Sequence, residues 1–316
     1  MIGVLFRNGR PAVVERDEPS VPPGEALVRV RVAGICGTDL EIARGYMEFD
    51  GVAGHEFVGV VERAPDPSWE GRRVVGEINV ACGHCSICRA GLKRHCPERT
   101  VLGIVGRDGA FAEYLTLPLA NLHAVPDSIV DDAAVFTEPL AAAYEILEQV
   151  EMPGSGRVLV LGDGRLGQLC ALVLARAGSP PTVCGRHAKK LERLRKFGLE
   201  TVGEHDVLPR SFDVVVEATG SPDGLRRAFD LVRPTGTIAL KSTYHGDVSL
   251  ALAGVVIDEV RIVGSRCGPF EPALDHLSRE PSIVDGMVDA RYSIRDAGVA
   301  FEHAARPDSL KVLITF

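Results

Sequence analysis

The chain has 316 residues, 46% apolar and 25% charged, with 35 Lys and Arg against 43 Asp and Glu, a net charge of -8. That balance excludes general disorder, and the length predicts two domains at about 100–200 residues each. The acid excess excludes a nucleic-acid backbone binder. No apolar run reaches the about 18 residues of a membrane span, and MIGVLFRNGRP lacks a signal peptide's apolar core, so neither a nucleic-acid nor a membrane partner is expected.

The expected location is the cytoplasm, where thiols stay reduced, so the 8 cysteines need an explanation other than disulfides. The N-terminal half carries short alternating stretches bounded by Gly and Pro. Ala26–Val32, Phe57–Glu62 and Arg73–Gly76 read as half-buried strands. Between them lie Gly34-Ile-Cys36-Gly-Thr38-Asp39 and Gly54-His55-Glu56. Cys, His and Glu all ligate zinc, and a catalytic site takes about three protein ligands with one position left open. Taken singly, Cys36 reads as a small buried hydrophobe, His55 as a satisfied polar residue and Glu56 as a surface charge.

Next come Cys82, Cys85, Cys88 and Cys96, two C-x-x-C steps and a fourth Cys eight residues on. Four thiolates so spaced close one tetrahedral structural site, with zinc ahead of an iron–sulfur cluster. His84 and His95 are expected to be exposed and not ligands, since four sulfurs complete the shell.

Past Glu138 the pattern changes. Glu138–Val150 has helical spacing, and Arg157–Leu161 reads as a buried strand. The turn Gly162-Asp163-Gly164-Arg165-Leu166-Gly167 then opens a helix, Leu166–Ala177. Such a turn holds a dinucleotide: its first Gly makes the turn, its second admits the pyrophosphate and its third lets helix pack on strand. Strand Thr182–Cys184, helix Ala188–Phe197, strand Asp213–Glu217, helix Gly224–Val232 and strands Gly236–Leu240 and Arg261–Gly264 complete a doubly wound parallel sheet. An acid that would bind the ribose of NAD is missing after the second strand. Gly185 holds its place, followed by Arg186 and His187, so NADP is expected over NAD. Lys189 and Lys190 read as a solvated helix start. The tail, ending in strand Lys311–Phe316, returns to β character.

With GICGTD, GHEFVGVVE, the four-Cys lobe, TEPLA, the glycine-rich turn and FDVVVEATG in this order, the chain resembles zinc-dependent alcohol dehydrogenases of the medium-chain dehydrogenase/reductase family. It is nearest their polyol, sugar and threonine branch. The resemblance implies an α/β fold: a GroES-like, mostly-β catalytic domain (1–138 and 265–316, lobe 82–96) and a Rossmann domain (139–264), with the active site in the cleft between. It implies two zinc ions per chain, one structural and one catalytic. Cys36 and His55 match constant ligands of the catalytic zinc. Glu56 and Glu138 match carboxylates that either ligate it or stand behind the ligands. Glu138 also reads as a first-turn acid of its helix. Thr38 matches the hydroxyl that passes the alcohol proton toward solvent, and Asp39 the carboxylate that orients His55. Glu41 stands where several alcohol dehydrogenases carry a relay His, and reads equally as a surface carboxylate. Ala218, Thr219, Gly220, Val263, Gly264 and Ser265 match the nicotinamide surroundings. The implied reaction moves a hydride between a polyol, sugar or other secondary alcohol and NAD(P), in a homodimer or homotetramer. The alternatives are an NAD-dependent threonine- or sorbitol-like dehydrogenase and a non-catalytic NADPH-binding relative.

Overall fold

The computed structural model describes every residue except Asn8 and 244–246. The chain divides into two compact units, Met1–Glu138 with Phe270–Phe316, and Pro139–Pro269. Ser265 to Pro269 thus lie in the second unit.

Among the described residues, the first unit is built on a seven-stranded sheet. Its long strand Glu25–Gly34 buries all but Arg29 and Arg31, which is the pattern of a strand covered over most of its length. That strand pairs antiparallel with Glu56–Arg63, and Gly34 lies opposite Glu56. On its other side it pairs with the C-terminal strand Lys311–Thr315. Lys311–Thr315 is therefore a core strand beside the strand that leads to Cys36. The tail is less β-rich than its sequence suggests. It also holds helices Phe270–Arg279 and Ala297–Ala304, which bury Phe270, Leu277 and Phe301. Phe301 packs edge-on against Phe6 and Phe111, contacts that no local pattern announces.

The second unit alternates strands and helices: β1 (Val158–Leu161), α1 (Arg165–Arg176), β2 (Thr182–Gly185), α2 (Ala188–Lys196), β3 (Thr201–Gly203), β4 (Phe212–Glu217), α3 (Pro222–Leu231), β5 (Val232–Leu240), α4 (Leu252–Ile257) and β6 (Arg261–Gly264). All pair parallel, in the order β3-β2-β1-β4-β5-β6. β1 is buried along its whole length, as a central parallel strand covered on both faces requires. Strand order reverses between β1 and β4, and ligands of such sheets bind outside the strand ends at that point. β3 has only three residues, too few for a periodic signal, and exists through its pairing with β2. Lys190 departs from the expected solvated helix start. It is 6% exposed on α2, where its backbone carbonyl accepts from Gln168 of α1.

Candidate active site

The first cluster forms where two neighbouring strands end. Glu25–Gly34 runs into helix Gly37–Ile42 through Cys36, while Glu56 opens the adjacent strand and His55 immediately precedes it. Single ligand atoms of Cys36, His55 and Glu56 all lie within 4.8 Å of one another. Asp39 is fully buried in the helix's first turn. Its Oδ2 accepts from Cys36 N at 2.7 Å and its Oδ1 from Gly54 N at 3.2 Å. The same carboxylate thus fixes the backbone around both the Cys and the His. His55 Nδ1 lies 3.4 Å from Asp39 Oδ1, long for a hydrogen bond, and finds no other partner among the described residues. Burial opposes charge on His55, but Asp39 and the Cys36 sulfur outweigh it and hold the ring's pKa well above its ordinary value. Gly54 makes the approach possible: its φ is +93°, and a Cβ there would meet the Phe111 ring at 2.8 Å.

Thr38 Oγ1 stands 4.0 Å from Cys36 Sγ, half-buried at the helix start. Glu138 lies outside the cluster, half-buried in the first turn of helix Thr137–Gln149. Glu41 is bonded to Arg44 at 2.5 Å on the surface. One residue that sequence reading missed is Lys311. Its Nζ is ion-paired with Glu56 Oε2, both side chains being 1% exposed, and it sits 5.5 Å from the Phe136 ring centroid. Its position, 255 residues from Glu56, is set by strand pairing and leaves no local signal.

The second cluster is the four-Cys lobe. Sulfur separations are 3.9 Å for Cys82–Cys88, 3.9 Å for Cys85–Cys96 and 3.6 Å for Cys96–Cys82. Tetrahedral zinc with bonds of about 2.3 Å needs sulfurs about 3.8 Å apart, so the cage fits the ion. Burial, with hydrogen bonding from the neighbouring thiols, pushes the Cys88 thiol up to about 12. A thiol so placed gives up its proton only beside a cation. His84 and His95 are exposed. Among the described residues His84 groups only with Cys82 and the exposed Glu98.

The third element is the dinucleotide turn between β1 and α1. Gly162 has φ +122°, and a Cβ there would lie 2.5 Å from Ala218 O of the β4 turn. At Gly164 the space within 4 Å is open, next to the start of α1 at Arg165 and Leu166. Gly167 packs against the Gly162 carbonyl with no room for a side chain. The three glycines therefore do what the sequence spacing asks, leaving a cradle at a helix N-terminus. Around the strand ends, Glu217 Oε1 accepts from Thr219 N at 2.8 Å, and Gly220 N donates to Ser242 Oγ at 2.8 Å. Ser265, after Val263 and Gly264 of β6, donates its N–H to Leu240 O at 3.0 Å. Lys241, also missed from sequence, is buried. Its Nζ donates to Ala142 O at 2.6 Å, Ser265 Oγ at 3.1 Å and Arg266 O at 3.1 Å.

Residues 22–127 match the alcohol dehydrogenase GroES-like domain, and residues 166–279 match zinc-binding dehydrogenase. The chain is 34% identical to an L-threonine 3-dehydrogenase of Deinococcus deserti over 80% of this chain and 79% of that one. The chain belongs to the zinc-type medium-chain dehydrogenase/reductase family. Two solved structures of similar chains carry nicotinamide cofactors. A Sinorhizobium meliloti 1021 protein described as a zinc-binding dehydrogenase, bound to NADP, has a TM-score of 0.89 at 27% identity, covering 100% of this chain and 99% of that one. The rspB alcohol dehydrogenase of Escherichia coli CFT073, complexed with NADH, has a TM-score of 0.89 at 27% identity over 100% and 99%. Family membership makes this chain a zinc-type oxidoreductase with a Rossmann cofactor unit. Among the described residues no helix is long and apolar enough to cross a membrane.

Proposed function

We propose that this dehydrogenase oxidises secondary alcohols of the polyol or sugar kind, or reduces the matching carbonyls, with NADP preferred over NAD and two zinc ions per chain. The observation that carries the reading is the convergence of Cys36, His55 and Glu56 within 4.8 Å, backed by buried Asp39. Cys36 and His55 hold the catalytic zinc. Glu56 and Glu138 are carboxylates of its surroundings, and Lys311 competes for Glu56. Cys82, Cys85, Cys88 and Cys96 hold the structural zinc. Bound zinc supplies Lewis acidity to an alcohol oxygen, and the nicotinamide supplies the hydride acceptor. The chain's own part is orientation and proton handling. Asp39 fixes the Cys36 and Gly54 backbone and faces the His55 ring, and Thr38 Oγ1 receives the substrate hydroxyl proton and passes it outward. Gly164 and the N-terminus of α1, at Arg165 and Leu166, hold the pyrophosphate. Thr219, Gly220, Val263, Gly264 and Ser265 border the nicotinamide half. Arg186 and His187 follow Gly185 where a 2′-phosphate would lie.

A second reading is an NAD-dependent threonine dehydrogenase; its substrate is favoured by the Deinococcus deserti relative, an L-threonine 3-dehydrogenase. A screen of polyols, aldoses, threonine and simple alcohols with both nicotinamides separates them. Chelator-sensitive turnover of polyols or sugars with NADP supports the first reading. Threonine turnover with NAD supports the second. Nucleotide binding without turnover of any alcohol overturns both in favour of a binding protein.

Pairing of subunits through β6 is part of the proposal. Among the described residues β6 is an outer strand of its sheet, and Val256, Ile257 and Ile262 on and beside it are exposed. An unpaired edge flanked by exposed apolar residues is stabilised by a second copy of itself.

A further inference from the structure

We propose that Asp163 is a positioning residue for dinucleotide choice: it pins the Gly185–His187 turn so that the Arg186 guanidinium, exchanging from Glu204, receives the 2′-phosphate of NADP(H). This rests on the nucleotide reading above and deepens it.

Asp163 is the second residue of the glycine-rich turn and is only 6% exposed. Its Oδ2 accepts from the backbone N–H of Arg186 and of His187, each at 2.7 Å. Its Oδ1 lies 3.0 Å from His187 Nδ1. Three nitrogens therefore satisfy the carboxylate, which is what a buried charge requires. The same geometry dictates the residue at 185. A Cβ on Gly185 would lie 2.5 Å from Asp163 Cβ and 2.5 Å from its Oδ2. No side chain fits there, least of all the ribose-binding acid that NAD-type sheets carry at the end of the second strand. Asp163 does not replace that acid, since it is buried and already bonded.

The turn delivers Arg186 instead. Its side chain is 65% exposed, and its Nε is paired with Glu204 Oε1, itself 37% exposed. Both line a cavity of about 470 Å³ with His205, Thr219, Arg226 and Arg227. An ion pair so exposed to water holds weakly, and a phosphate dianion offers the guanidinium more charge and a matching pair of oxygens. Glu204 thus marks the position of the phosphate and competes with it for the Arg186 guanidinium. Arg226 is bonded to Asp223 as Arg186 is to Glu204, but of these arginines Arg186 is the one carried by the turn that Asp163 pins.

Fluorescence titration of the zinc-loaded protein with NADPH and NADH tests this without turnover. The wild type is expected to bind NADPH at least about tenfold more tightly than NADH, as a charge-paired phosphate warrants. Asp163→Asn replaces one oxygen by a donor facing donors. It should weaken NADPH about tenfold while NADH stays within about twofold, and Arg186→Ala should do the same. Glu204→Gln should tighten NADPH about threefold or more with NADH unchanged. If Asp163→Asn does not fold, Gly185→Ala displaces the same carboxylate and is read the same way. A wild type that prefers NADH overturns the nucleotide reading itself. A wild type that prefers NADPH, with the ratio intact in Asp163→Asn or Gly185→Ala, overturns only the role of Asp163. An unmoved NADPH affinity in Glu204→Gln overturns the exchange. Alcohol turnover enters none of these readouts.

Discussion

At the scale of single residues, Glu56 shows how a charge acquires a role from its surroundings. In the sequence it is an acid next to a His. In the fold it is 1% exposed and tied to an equally buried Lys311. Removing one partner of a buried pair strands the other, which costs about 3–5 kcal/mol. Lys311→Met should lower stability to denaturant by that order, and the double variant Lys311→Met/Glu56→Gln should recover part of it. A full loss in the double variant would show that Lys311 acts by packing on Phe136 and not through the pair. Cys36→Ser is expected to lower kcat at least about a thousandfold, because it removes a ligand proposed for the Lewis acid, with the melting temperature and NADPH affinity close to wild type. Parallel loss of nucleotide binding would place Cys36 in folding instead. Cys36, His55 and Asp39 were legible because a short helix and adjoining strand ends gather them locally. Glu138 was legible as a residue but not by location, since spacing cannot say whether a first-turn acid reaches a ligand cluster.

At the scale of elements, the four-Cys lobe and the β1–α1 turn were readable because each is a nearly continuous segment whose geometry its own residues fix. Cys88→Ser tests the lobe. It should lower zinc content by about one per chain and reduce thermal stability, since metal binding there is folding free energy. Cys36→Ser, by contrast, should spare the lobe's ion. Equal behaviour of the two variants in metal content and melting temperature would mean that the sites are not separate. β3, Lys190 and Lys241 were not readable. β3 depends on β2 for its existence, Lys190 is buried where a periodic pattern says only that a basic helix begins, and Lys241 is satisfied by carbonyls from helix Thr137–Gln149 and the loop after β6. Such partners come from chain crossings that periodicity does not encode.

For the whole molecule, metal and assembly are the measurable quantities. Wild-type protein should carry two zinc ions per chain by elemental analysis. The pairing proposed for β6 predicts that Val256→Glu with Ile257→Glu lowers the oligomeric mass in light scattering, because charge on that surface opposes burial. An unchanged mass would move the interface elsewhere. The net charge of -8 also gains resolution. The basic run after Cys184 is met in space by acids: Glu204 pairs with Arg186, and buried Asp163 accepts from the Arg186 and His187 backbone, so this face is not uniformly positive.

Residue types and spacing alone reveal the family, the strand and helix alternation of the second unit, the glycine turn and the Cys, His and Glu residues suited to zinc. These are local: each depends on residue types at short spacing, where backbone geometry leaves few choices. Which charge meets which is visible in three dimensions alone. The fold brought Lys311 to Glu56 by pairing the last strand with an early one, filled the place beside Gly185 with Asp163, and set Glu204 against Arg186. The reason is physical. A buried or paired charge is defined by the groups that replace its water, and those come from segments far apart in the chain.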